Sequence, residues 1–189
     1  VAQLAISIAR EMGLGEDRIE AVRLASLVHD IGKINIPSEI LNKPSNLNDI
    51  EYSLVKNHSR LGYDILKEIT FTSPIAEIVY QHHEKFDGSG YPRALAGGDI
   101  PVAARIMAIA DVYDALISSK VYKDGVPHDK AVQIIFSERG AHFDPDMVDA
   151  FIEIQDEFDG IAKRFADTDA DLQHKIEYMA NAIAEIAIL

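Results

Sequence analysis

Apolar residues recur three or four positions apart along nearly the whole chain, and no stretch alternates apolar with polar residues over the length of a strand. A chain patterned this way buries its apolar stripes by packing helix on helix, so an all-α fold is expected. Helices are predicted over residues 1–12, 17–30, 49–67, 74–84, 102–118, 129–138 and 145–158, with a last one over 167–188. Several ends carry start and stop chemistry. Asn48 with Glu51 has the form of a capping box, and Ser73-Pro74 and Asp144-Pro145 each set a capping residue before a proline at the first helical position. Gly140 is placed to end the helix before it. The one long irregular stretch, 85–101, carries Gly88, Gly90, Pro92, Gly97, Gly98 and Pro101 directly after two adjacent histidines, and loops of that length in compact domains are usually functional or disordered.

Length and charge narrow the function. With 189 residues the chain can bury one sizeable core, read as a main domain over 1–158 followed by an acidic, Ala-rich helical extension over 159–189 that packs on it or joins a partner, which makes an oligomer through this helix an expectation. Hydrophobic residues at 48% and charged residues at 26% are the balance of a folded globular protein. There is no cysteine, so disulfides, thiolate metal sites and a cysteine nucleophile are excluded, and a cytoplasmic setting is expected. Any metal must be held by histidines and carboxylates. The longest apolar stretches, such as 182–189, are far short of the roughly 20 residues that span a bilayer. A net charge of −13 argues against duplex nucleic acid or an anionic membrane surface as a partner, while a small phosphate ligand could still bind through local positive charge. The chain opens directly in a helical pattern, with no basic leader or cleavage site, so it is expected to continue upstream.

Four elements carry side chains suited to metal chemistry. His29-Asp30 closes a helix and offers a nitrogen and an oxygen ligand from one turn, although a helix-end hydrogen-bonded pair would look the same. His58 lies mid-helix among Leu54, Val55, Leu61 and Gly62, where a lone histidine is more often a satisfied core residue. His82-His83 ends a helix beside the Gly-rich loop, where the helix dipole alone could account for it. Asp111 and Asp114, three apart among Met107, Ala108, Ala115 and Leu116, are both expected to point into packing, where a carboxylate needs a cation or hydrogen-bond donors. Together these elements offer four imidazoles and at least two carboxylates, an N/O set that suits iron, manganese, zinc or nickel. It is too rich for one catalytic zinc, and it suits a two-metal site of the kind that cleaves phosphodiesters.

The strings His29-Asp30-Ile31-Gly32-Lys33, His58 with Gly62, His82-His83-Glu84-Lys85-Phe86-Asp87-Gly88-Ser89-Gly90-Tyr91-Pro92, Asp111-Val112-Tyr113-Asp114 and Gly140-Ala141-His142-Phe143-Asp144-Pro145 resemble the HD-GYP family of the HD metal phosphohydrolases. The resemblance covers residues 1–158 and implies an HD-type bundle of about seven helices with an extra C-terminal helix. It implies a phosphodiesterase that opens a cyclic dinucleotide, chiefly cyclic di-GMP, to the linear dinucleotide or to GMP by attack of a metal-bridged hydroxide. Two or three divalent transition-metal ions are implied, iron or manganese before zinc or nickel, with His29, Asp30, His58, His82, His83 and Asp111 as ligands and Asp30 as the bridge. Lys33 would serve catalysis beside Asp30, and Gly90, Asp114, Lys120 and Lys123 would meet substrate. Gly90, Tyr91 and Pro92 would also offer a contact for a cyclase domain, and a sensory or receiver domain is implied upstream. Lys120 stands where the family has arginine, which keeps the charge and loses the bidentate fork, so cyclic GMP-AMP is an alternative substrate. Further ligands that similar proteins carry before the position of Val1 are absent here, leaving the metal count open. A non-catalytic sensor of the same ligand, or a mononucleotidase, are the competing readings.

Overall fold

The computed structural model describes residues 1–43, 45–118 and 125–165. They run through α1 (Ala2–Glu11), α2 (Glu16–Val28), α3 (Ser38–Leu41), α4 (Asp49–Lys56), α5 (His58–Leu66), α6 (Ile75–Gln81), α7 (Val102–Ile117), α8 (His128–Ser137), α9 (Pro145–Glu153) and α10 (Gln155–Phe165), with 3-10 turns at Ile31–Asn35 and Gly97–Asp99. Among the described residues no strand forms, as the helical patterning predicts. None of the helices searched is long and apolar enough to cross a membrane.

Helix α7 organises the core because it is apolar on most of its circumference. Ala104, Ile106, Met107, Ala108, Ile109, Ala110 and Tyr113 are all buried, as expected of a central helix. Around it pack α1 through Leu4, Ala5, Ile8 and Ala9, α2 through Val22 and Ala25, α6 through Ile78 and Val79, and α8 and α9 through Ile135, Met147 and Val148. Burying each large aliphatic side chain contributes roughly 1.5–3 kcal/mol. Tyr113 closes one end against Phe151 and Phe158, with ring centroids 5.8 and 5.0 Å away.

Capping chemistry sets several boundaries. The Asn48/Glu51 capping box forms in both directions, and Asp144 caps α9 ahead of Pro145 by accepting from the Asp146 amide at 2.9 Å. Gly13, at φ +69°, ends α1 in a Schellman arrangement, its N–H donating to Arg10 and that of Leu14 to Ala9. Gly140, at φ +82°, lies two residues beyond the end residue Glu138, inside the turn that leads to Phe143.

Four boundaries depart from the expected ones. The helix predicted over 49–67 breaks at Asn57, because the imidazole Nδ1 of His58 donates to the Val55 carbonyl at 2.7 Å and interrupts the helical ladder. His58 therefore sits at the first residue of α5 instead of mid-helix. The helix predicted over 145–158 breaks at Ile154, where the Gln155 side chain donates to the Ile152 carbonyl. Past that break α10 runs through residue 158 and brings Phe158 and Ile161 into the core. Pro74, not Ser73, is the residue before α6, and Ser73 contributes its backbone carbonyl to Ile75 N–H at 2.7 Å instead of a side-chain cap. A short turn of helix, α3, forms after Pro37 where none was predicted. The helix predicted over 167–188 lies outside the described residues, as do Lys120 and Lys123.

Candidate metal centre

The site forms where α2 ends, α5 begins, α6 ends and α7 passes its midpoint, and glycines permit the approach. A Cβ on Gly32 would lie 2.0 Å from the His58 carbonyl oxygen and 2.5 Å from the Gly62 nitrogen, and one on Gly62 would lie 3.1 Å from the Val79 side chain. The absence of those atoms brings the His29-Asp30 turn, α5 and α6 together.

Three of the four histidines are oriented in the same way. The Nδ1 of His29 meets the Ser26 carbonyl at 2.8 Å, that of His58 meets Val55 at 2.7 Å and that of His82 meets Val79 at 2.6 Å. In each case the acceptor is three residues back, and a ring that donates from Nδ1 presents a lone pair at Nε2. The Nε2 atoms of His58, His82 and the fourth histidine, His83, converge. His58 Nε2 lies 3.3 Å from His82 Nε2 and 3.1 Å from His83 Nε2, and the ligating atoms of all three histidines lie within 4.8 Å of one another. Nε2 lone pairs facing each other at such distances repel unless a proton or a metal ion lies among them. Metal–nitrogen bonds of ~2.0–2.1 Å leave two neighbouring ligand nitrogens about 3 Å apart, so the donor set fits a metal.

A second donor group stands beside the first. His29 Nε2 is 3.5 Å from Asp111 Oδ1 and 3.4 Å from Asp30 Oδ2, while the other Asp30 oxygen, Oδ1, is 3.4 Å from His58 Nε2. Asp30 thus turns one oxygen to each group. Lys33 Nζ donates to Asp30 Oδ2 at 2.6 Å, at the open side of the cluster.

Electrostatics follow burial and partners. Burial pushes His58, His82 and His83 towards the neutral form, His82 to about 4. Burial opposes charge at His29 too, but the Asp111 hydrogen bond and the charges of Asp30 and Asp111 outweigh it and raise its pKa. Burial also works against the Asp111 carboxylate, and the His29 hydrogen bond and charge hold its pKa below the usual carboxylate range. His58, His82 and His83 therefore present neutral nitrogens, while the Asp111 carboxylate stays ionised beside His29. Tyr91 is pushed up, first by burial and then by the neighbouring Tyr52, Asp111 and Asp30.

Of the residues singled out in the sequence, His29, Asp30, His58, His82, His83 and Asp111 come together, with Lys33 beside them. Asp111 and Asp114 are both half-buried, with 29% and 43% of their side chains exposed, and only Asp111 lies within ion-pair distance of a cluster histidine among the described residues. Gly90 has a backbone reason to be glycine, since a Cβ there would lie 2.2 Å from Lys85 N and 2.6 Å from Glu84 Cα. Tyr91 stacks on the His83 ring with centroids 4.9 Å apart, and its N–H donates to the His83 carbonyl. Outside the cluster, His128 meets the Tyr113 hydroxyl and His142 stacks on Phe143.

Sequence reasoning gave Glu84 no role, yet it is buried and ties the loop 85–101 to the His82-His83 turn. Its two oxygens accept from the backbone N–H groups of Arg93 at 2.6 Å and Leu95 at 3.0 Å. The available signal was an acidic residue directly after two candidate ligands, at the mouth of a loop whose amides need acceptors.

The fold and this site define a class, and the comparisons agree. The chain belongs to the HD domain family, whose model matches residues 1–147. A probable cyclic di-GMP phosphodiesterase of Vibrio cholerae is 46% identical over 154 residues, covering 77% of this chain and 35% of the relative. A 3'3'-cGAMP-specific phosphodiesterase of the same organism is 39% identical over 162 residues, covering 85% of this chain and 31% of the relative. The chain thus spans about a third of the length of these relatives. Among solved structures, an HDG"Y"P protein from Bdellovibrio bacteriovorus superposes with a TM-score of 0.67 at 22% identity, over 81% of this chain and 49% of that one, and shares the fold.

Proposed function

We propose that this chain carries a metal-dependent phosphodiesterase site for a cyclic dinucleotide, with cyclic di-GMP as the first substrate and cyclic GMP-AMP as the alternative. The observation that carries the reading is the pair of donor groups joined by Asp30: His58, His82 and His83 on one side, His29 and Asp111 on the other. That arrangement supports two divalent ions with Asp30 as the shared ligand, and iron or manganese suits the N/O set. When bound, such ions supply an activated water and neutralise charge developing on the phosphoryl oxygens. The chain's own residues orient that chemistry. The Ser26, Val55 and Val79 carbonyls fix the ring tautomers of His29, His58 and His82, while His83 is steadied by the Tyr91 ring. Lys33, held on Asp30 at the open side, is the candidate to hold the scissile phosphate and to give a proton to the departing oxygen.

The relatives' names support the substrate class, and Lys120 in place of arginine is the sequence feature that bears on which dinucleotide is preferred. The greater length of the relatives is compatible with a further domain, which on this reading is a sensory or receiver domain joined upstream. A cyclase-domain contact at Gly90, Tyr91 and Pro92, and self-association through residues 159–189, complete the reading. Turnover of cyclic di-GMP, 3'3'-cGAMP and a mononucleotide by protein purified without oxygen, with its metal content measured, tests it. Linear dinucleotide or GMP is the expected product, with about two ions per chain on the two-metal scheme; tight binding without product would defeat the enzyme reading in favour of a sensor.

A further inference from the structure

A cyclic dinucleotide carries two phosphodiesters, and only one can lie at the metal centre while it is cleaved. The other is an anion close to a protein of net charge −13, so it needs a local cation. Lys33 is engaged by Asp30 at 2.6 Å and is the residue proposed above for the scissile group. On the His83 side the next layer is Tyr91, stacked on the His83 ring at 4.9 Å and 29°. Over Tyr91 lies the ammonium of Lys56, 5.6 Å from that ring centroid and 5.0 Å from the ring of Tyr52. Among the described residues no carboxylate lies within ion-pair distance of Lys56. Lys43, Lys67 and Lys163, by contrast, each pair with an acid. Two aromatic faces hold an ammonium in place without neutralising it, which leaves its N–H groups available to an anion. His83, Tyr91, Lys56 and Tyr52 thus form a row leading outward from the metal centre.

We infer that Lys56, held by the rings of Tyr52 and Tyr91, is a cationic contact for the phosphodiester of a cyclic dinucleotide that is not being cleaved. This rests on the phosphodiesterase reading above. It gives α4 a role in substrate selection: a substrate with a second phosphodiester gains a contact that a single diester cannot make.

The test compares the unsubstituted 189-residue chain with Lys56→Met and Lys56→Arg, each loaded with Mn²⁺. Steady-state kinetics are run on cyclic di-GMP, 3'3'-cGAMP and bis(p-nitrophenyl) phosphate, a diester with one phosphate, and dinucleotide binding is measured by calorimetry. Methionine keeps an apolar stem against the rings and removes the charge. A charge-assisted contact of ordinary strength predicts that Lys56→Met weakens KM and Kd for the dinucleotide about tenfold or more, with a clearly smaller effect on the single diester and an unchanged metal content. Lys56→Arg, which stays charged and stacks on aromatic faces, restores most of the loss. Wild-type KM and Kd in Lys56→Met would overturn the inference. So would equal losses on both kinds of diester, or an arginine variant no better than methionine. If the unsubstituted chain binds a dinucleotide without cleaving it, the Kd comparison decides alone. If it neither binds nor cleaves one, the phosphodiesterase reading fails first and takes the inference with it.

Discussion

Asp30 is the residue on which the site turns. Its oxygens face different histidines, His58 from Oδ1 and His29 from Oδ2, while Lys33 holds the second oxygen. Among the described residues Asp30 is the carboxylate that lies within ion-pair distance of a histidine from each donor group. Asp30→Ala is therefore expected to lower the bound metal by at least one ion per chain and to cut kcat/KM on a cyclic dinucleotide by more than about 100-fold, the upper scale for losing even an outer-shell partner. Elemental analysis alongside turnover checks this, and full metal content with full activity would remove Asp30 from the centre. Taken singly, His58 and Asp111 were ambiguous in the sequence, since a buried histidine or an acid on an apolar face has ordinary structural uses. What separates the readings is orientation. The i−3 carbonyls that hold Nδ1 of His29, His58 and His82 are a property of the folded turns.

At the scale of elements, close backbone approach and one buried carboxylate assemble the cluster. Gly32→Ala puts a methyl within 2.0 Å of the His58 carbonyl, and backbone on both sides leaves it no room to yield. The expected cost is ~3 kcal/mol or more, at the severe end of overpacking, read as a lowered melting temperature; a variant as stable as the parent would show that α5 and the 31–35 turn can separate freely. Glu84→Ala leaves the Arg93 and Leu95 amides without their acceptor, a loss of ~1–3 kcal/mol for each group that stays buried. Hydrogen exchange at those two amides should accelerate, with Glu84→Gln intermediate because it keeps one acceptor oxygen. Unchanged exchange would mean that the loop is held by its other ties, such as Phe86 N–H to the His142 carbonyl. The capping box at Asn48 and the Asp144-Pro145 start were readable because both partners lie within three residues. The breaks at Asn57 and Ile154 were not, because apolar spacing continues through them and a side chain capturing a carbonyl interrupts only the backbone.

For the whole molecule, the core and the site share helices. α2, α6 and α7 bury Val22, Ala25, Ile78, Val79, Ile106 and Ile109 on one side and carry His29, His82, His83 and Asp111 at their ends or flanks. A cation bound only by the folded state should then stabilise the entire fold. At a free metal concentration near 100 times Kd the gain is about 2.7 kcal/mol, so stripping the metal with a chelator is expected to lower the melting temperature by on the order of 5–10 °C. Calorimetry with and without chelator, followed by re-addition of Mn²⁺, checks this. An unaltered melting temperature with proven metal loss would mean that the centre is not coupled to the packing of these helices.

The all-α class, most of the helices and the set of side chains able to hold a metal were legible in the sequence. Those properties lie in local periodicity, in capping partners a few residues apart and in residue types. Folding had to bring His29 and Asp111 into one donor group and His58, His82 and His83 into another, with Asp30 between them. Their separations along the chain carry no information about distance until Gly32 and Gly62 let the backbones close. The loop staple at Glu84 and the row from His83 through Tyr91 to Lys56 belong to the same category, because each depends on contacts between segments that packing brings together.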